Sequence, residues 1–197
     1  MIYFIFEMIG TIAFAASGAM VAIEQKMDIL GVAILGVTTA IGGGIIRDVL
    51  IGKTPPTSLN DPKYALVAVI TALIVFIPYI RERLDMDHKG IVLLDAIGLG
   101  MFTVIGCNTA IPFNNMFLQV LLGVMTGVGG GVLRDMFATQ KPMIFVKHFY
   151  AMASILGAIL YSWLLNYNEQ FAAYFSMAFI VVIRMFAAKY KWHLPKS

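Results

Sequence analysis

Charge is what this sequence lacks most. Asp, Glu, Lys and Arg make up only 13% of its 197 residues, where a soluble domain usually carries about a quarter. Too few polar side chains exist to cover a solvated globular surface. Cysteine is nearly absent as well. Cys107 stands alone, which excludes an intrachain disulfide and a thiolate metal cluster. His88, His148 and His193 lie far apart in the chain and predict no metal site. The lysines and arginines are scattered and the net charge is only +3, so the basic stripe that nucleic-acid binding requires is missing. Neither a nucleophile–base constellation nor a phosphate loop or dinucleotide fingerprint occurs. No enzyme and no cofactor are expected. The N-terminus lacks a basic leader and its first charge is Glu7, so Met1 onward reads as mature chain.

What is present is apolar. Hydrophobic residues make up 60% of the chain and mean hydropathy is +0.86, an excess that a lipid bilayer accommodates. Seven apolar runs are each close to the ~20 residues that a helix needs to cross. They cover 2–23, 29–50, 63–80, 90–111, 116–137, 145–165 and 171–190. The expectation is a single all-α, multi-pass transmembrane domain over 1–197. Alternating the faces puts Lys53 and Lys63 on one side. Lys26, Arg81, Arg83, Lys89, Lys141, Lys147, Lys189, Lys191 and Lys196 fall on the other. By the positive-inside rule this predicts a cytoplasmic C-terminus and an outside N-terminus.

The chain repeats itself. Gly42-Gly43-Gly44-Ile45-Ile46-Arg47-Asp48 reads against Gly129-Gly130-Gly131-Val132-Leu133-Arg134-Asp135, and Pro55 and Pro142 follow at one spacing. Gly36 and Thr39 answer to Gly123 and Thr126. One helix earlier, Glu7, Gly10, Phe14 and Gly18 answer to Asp95, Gly98, Phe102 and Gly106. One helix later, Tyr64-Ala65 answers to Tyr150-Ala151. The units are 1–84 and 88–167, followed by a seventh helix at 171–190. Three helices per unit is an odd number, so the second copy enters from the opposite face, as an inverted repeat.

Three consecutive glycines weaken a helix and permit positive φ. A break there would leave free carbonyls facing cations and free amides facing anions. Close helix packing is the plainer alternative. The expectation is that the second and fifth helices break at Gly42–Gly44 and Gly129–Gly131 and line a path. Charges inside spans are costly and face an interior or water. Helical neighbours point about 100° apart, so each Arg is not expected simply to neutralise its own Asp. Depth suggests the pairs Glu7–Arg47 and Asp95–Arg134, with Asp48 and Asp135 freer to meet ions. The alternative is that all six charges lock helices together. Thr39 and Thr126 precede the glycines and could line a path or bond back to their own helix. Arg184 could snorkel to the interface or pair within an oligomer. Tyr3, Tyr79, Trp163, Tyr190 and Trp192 read as interfacial anchors.

The duplicated Gly-Gly-Gly-x-x-Arg-Asp, on the second and fifth of seven helices, resembles the prokaryotic branch of the trimeric intracellular cation (TRIC) channel family over essentially the whole chain. The resemblance implies a homotrimer with one pore per protomer. Its pore-lining candidates are Gly42, Gly43, Gly44, Gly129, Gly130 and Gly131, with Arg47, Asp48, Arg134 and Asp135 adjoining. The transported species would be monovalent cations, chiefly potassium, and the setting the lipid bilayer of the cell (inner) membrane. The same bacterial family has also been labelled a glycine transporter domain, and a zwitterion could use both ends of a broken helix. A secondary carrier of a small zwitterion such as glycine is therefore the alternative to a channel. A third reading is a structural membrane protein whose charges only lock helices.

Overall fold

A computed structural model describes residues 2–83, 88–146 and 149–192. Of the residues singled out above, Lys147, His148, His193 and Lys196 lie outside it, as do the side chains of Arg81, Arg83, His88 and Lys89. The described residues are all-helical. In chain order they form α1 (Ile2–Glu24), α2 (Ile29–Leu50), α3 (Thr57–Asn60), α4 (Lys63–Phe76), α5 (Pro78–Arg83) and α6 (His88–Thr109). A 3-10 turn at Ile111–Phe113 leads to α7 (Met116–Phe137), α8 (Met143–Val146), α9 (Tyr150–Leu164) and α10 (Glu169–Lys189). By length and composition α1, α2, α6, α7 and α10 can cross a membrane.

The starts of three long helices are chemically marked. Asp28 accepts the Gly31 N–H at 2.7 Å, Asn115 that of Leu118 at 3.1 Å, and Asn168 that of Phe171 at 2.9 Å. Each satisfies an amide that has no partner in the first helical turn.

Two expected spans are divided. The third, 63–80, is interrupted at Ile77, whose ψ of 117° is extended. Pro78 follows it, and a proline disfavours helical backbone in the residue before it. The sixth, 145–165, begins inside α8 and resumes only after Phe149, at φ 52° in the left-handed region. At 14 and 15 residues, α4 and α9 reach only about 21–23 Å.

The centre is built on reciprocal contacts between the repeats. The Phe14 and Phe102 rings meet at 5.3 Å between centroids. Phe14 lies against the Cα of Gly98, where a side chain would collide with the ring, and Phe102 lies 3.2 Å from the position of a Cβ on Gly10. Gly18 receives Thr39 and the Leu35 carbonyl, as Gly106 receives Thr126 and the Leu122 carbonyl. This reciprocity is the pseudo-two-fold relation of an inverted repeat in atomic contacts. Gly98→Ala should cost about 1–3 kcal/mol through overpacking, and Phe14→Leu on the same chain should recover part of it. An unfolding midpoint in detergent that Gly98→Ala leaves unchanged would refute the contact. α10 stands outside the symmetry and packs on α6 and α9, with Ile180 over Gly157.

Candidate functional site

The triple glycines are not breaks. α2 and α7 run as uninterrupted helices through both triplets, and none of the six glycines takes a positive φ. Apolar surroundings penalise unpaired backbone groups, so the helical hydrogen bonds are kept. What the glycines provide is proximity. A Cβ on Gly43 would strike the Thr126 carbonyl oxygen, and one on Gly130 would strike that of Thr39. The helices therefore cross antiparallel, backbone against backbone. Leu133 covers Gly42, and Ile46 lies near Gly129. A Cβ on Gly44 would meet only the Arg47 guanidinium, at 3.9 Å, and one on Gly131 would lie 2.9 Å from the Tyr150 hydroxyl.

Thr39 and Thr126 are fully buried at this crossing. Each hydroxyl donates to its own helix, Thr39 to the Leu35 carbonyl and Thr126 to that of Leu122, both at 2.6 Å. The hydroxyls are used in back-bonding, and the same oxygens sit in the notches left by Gly18 and Gly106.

Each Arg does bind the Asp that follows it, against the sequence expectation. Arg47 places Nε and Nη2 both 2.8 Å from Asp48 Oδ1, and Arg134 Nε lies 2.9 Å from Asp135 Oδ1. The Cβ directions diverge, but a long arginine stem curls back across that gap. The aspartates are not free either. Asp48 Oδ2 accepts the Thr57 N–H at 2.8 Å, and Asp135 Oδ2 accepts the Met143 N–H at 2.7 Å. Those amides open α3 and α8, so each carboxylate caps a connector helix from one turn inside a long one.

The third carboxylate separates the halves. Arg134 Nη1 donates to Asp95 Oδ1 and to Ser17 Oγ, both at 2.6 Å. Glu7 forms no ion pair with Arg47 and instead accepts the Tyr64 hydroxyl at 2.5 Å. Asp95 is one methylene shorter than Glu7, and Tyr150, the counterpart of Tyr64, has no hydrogen-bond partner. The Arg134 cluster is sealed: Asp95, Arg134, Asp135 and Tyr150 are all buried. Arg184, from α10, closes it at 5.1 Å from the Tyr150 ring centre. It is 1% exposed, so it neither snorkels nor waits for another subunit. The Arg47 end is open. Glu7, Thr11, Gly44, Arg47, Thr57 and Tyr64 line a small, half-open recess. Among the described residues no group of His, Cys, Asp and Glu is arranged to hold a metal ion.

The family model described as "Glycine transporter" matches this chain twice, over residues 4–79 and 92–166. The inner membrane protein YadS of Escherichia coli is 36% identical, over 98% of this chain and 94% of its own. A solved TRIC cation channel superposes with TM-score 0.89 at 39% identity, covering 100% of this chain and 98% of that one. The crystal structure of a prokaryotic TRIC channel in 0.5 M KCl gives TM-score 0.89 at 32% identity, over 96% and 97% of the two chains. The chain belongs to the prokaryotic TRIC family. It is a membrane protein of a channel family, not an enzyme.

Within this TRIC fold, sequence reasoning missed Ser17, Thr57, Tyr64 and Tyr150 as members of the two charged ends. The tyrosines carried a signal, since they repeat together with the glycine motif. Ser17 carried none: its counterpart at the helix-one spacing is Ile105, so the repeat hides it.

Proposed function

We propose that this chain is a monovalent-cation channel, conducting chiefly potassium, with one path per protomer of a homotrimer, lined by α2 and α7. The observation that carries this reading is the Gly43–Gly130 crossing, where two helices touch by backbone alone and an open polar recess begins one turn beyond. At Gly43 the contact is with the backbone of α7 alone, so a small separation of α2 from α7 would open the recess toward the far end. The conduction of the similar TRIC channels supports the reading. In this proposal the candidate path residues play different parts. Gly43 and Gly130 form the closure, Gly44 faces the recess, and Asp48 and Asp135 hold the connectors that flank each end. The loop cations support an outside N-terminus and a cytoplasmic C-terminus, which would place the recess on the outer side.

A glycine carrier is the second reading. It is favoured by the family model's description and by a recess that offers both a carboxylate and a guanidinium. Potassium flux from liposomes under a set gradient, with and without glycine, separates the two. The expected result is flux that follows the electrochemical gradient and is indifferent to glycine. Saturable, ion-coupled glycine uptake without potassium conductance would favour the carrier.

A further inference from the structure

We propose that the corner where α8 meets the C-terminal end of α10 is a headgroup site for an anionic phospholipid of the leaflet it faces. None of its residues lines the α2–α7 crossing, so it stands or falls apart from the channel reading.

The loop cations that mark this side of the chain are unevenly spread. The α1–α2 link carries Glu24, Lys26 and Asp28, and residues 81–89 set Arg81, Arg83 and Lys89 against Glu82, Asp85 and Asp87. Opposite signs offset each other there. Residues 136–149 and 185–197 instead carry Lys141, Lys147, Lys189, Lys191 and Lys196, and neither stretch contains an Asp or Glu. The basic excess of this side is therefore confined to the second repeat and the seventh helix.

The fold brings those two stretches together. α10 ends in a left-handed turn at Lys191, φ 52°, and the Trp192 N–H donates back to the Ala187 carbonyl at 3.0 Å. This is the outer hydrogen bond of a Schellman cap, and Lys191 holds the place usually given to glycine. The turn brings the Trp192 ring into a T-shaped contact with Phe149, at 6.0 Å between centroids. Phe149 is itself left-handed, where the chain leaves α8 for α9. The end of α10 is thus fixed at the exit of α8, and Lys141 precedes its entrance.

The side chains of this corner are of two kinds. Lys141, Lys189 and Lys191 are exposed, and none belongs to an ion pair among the described residues. The Lys189 ammonium lies 5.4 Å from the Tyr190 ring centre. Beside them Phe145 is 77% exposed and Trp192 45%. A soluble acidic partner would match the lysines and leave no reason for the rings. A bilayer surface matches both, with aromatic rings at the boundary and ammonium groups reaching the phosphates. Each lysine near an anionic leaflet strengthens the attraction about fivefold.

The test uses the full chain in phosphatidylcholine bilayers, with brominated phosphatidylglycerol or brominated phosphatidylcholine mixed in. Bromine on the acyl chain quenches a neighbouring tryptophan, and the chain has only two. Trp163→Phe leaves Trp192 as the reporter, and Trp192→Phe leaves Trp163, at the opposite end of the bundle. Trp192 should report phosphatidylglycerol binding about tenfold tighter than phosphatidylcholine, and 1 M salt should remove most of that preference. Lys141→Gln, Lys189→Gln and Lys191→Gln combined should bring the ratio to about one, and the three Lys→Arg changes should keep it. Trp163 should show no preference. Equal quenching of Trp192 by the two lipids with every lysine in place overturns the proposal, and that measurement needs no charge variant. A preference that survives the triple glutamine change, or that Trp163 shows equally, overturns it as well.

Discussion

Gly43→Ala and Gly130→Ala should each destabilise the protein by about 3 kcal/mol, at the upper end of overpacking costs, while Gly44→Ala should be nearly neutral. The difference comes from what each new methyl group meets. At Gly43 and Gly130 it meets a carbonyl oxygen of the opposing helix, and backbone cannot rotate away as a side chain can. At Gly44 it meets only the tip of the flexible Arg47 side chain at 3.9 Å. There the better helix propensity of alanine, worth up to about 1 kcal/mol, acts in the stabilising direction. Unfolding midpoints in detergent for the three variants decide the matter. Equal losses at all three would show that the triplet acts through helix flexibility and not through contact. Flux should follow the same order, because forcing α2 from α7 alters the closure, and Gly44→Ala should conduct like wild type.

Arg134→Leu should cost about 3–5 kcal/mol, the usual penalty for removing one partner of a buried ion pair. It would strand Asp95 and Asp135 in a region that water does not reach, since both carboxylates and Arg134 are essentially unexposed. Arg47→Leu should cost less, about 1–3 kcal/mol, because it strands one carboxylate, Asp48, which keeps the Thr57 N–H, where Arg134→Leu strands two. The comparison needs only denaturation midpoints of the two variants. An Arg47→Leu loss equal to that of Arg134→Leu would contradict the contrast between an open and a sealed end. Adding Asp95→Asn and Asp135→Asn to Arg134→Leu should restore much of the loss, since neutral amides no longer repel or demand a counter-charge.

The pairing of the charges was only partly legible from order along the chain. Depth in the membrane puts Asp95 and Arg134 at one level, and they do meet. The same argument puts Glu7 and Arg47 together, and they share a recess without pairing. Depth fixes a level and not a distance. At that level a tyrosine from α4 reaches Glu7 first, while Arg47 closes on its own neighbour. Asp48 and Asp135 looked free because their ligands are backbone amides of α3 and α8, which no side-chain pattern displays. Arg184 looked like an interfacial residue because its partner, Tyr150, lies on a helix far away in the chain.

Composition and repetition by themselves determined that this chain is a membrane protein of two inverted three-helix units and a seventh helix. The reason is that apolar length and an odd repeat count leave few other arrangements in a bilayer. Tertiary structure alone decided what the glycines are for. Glycine permits both a broken helix and a close crossing, and only the opposing carbonyls of Thr39 and Thr126 select between them. It also decided that two ends with the same motif differ. A methylene between Glu7 and Asp95, and one arginine from the unpaired seventh helix, seal one end and leave the other open to solvent.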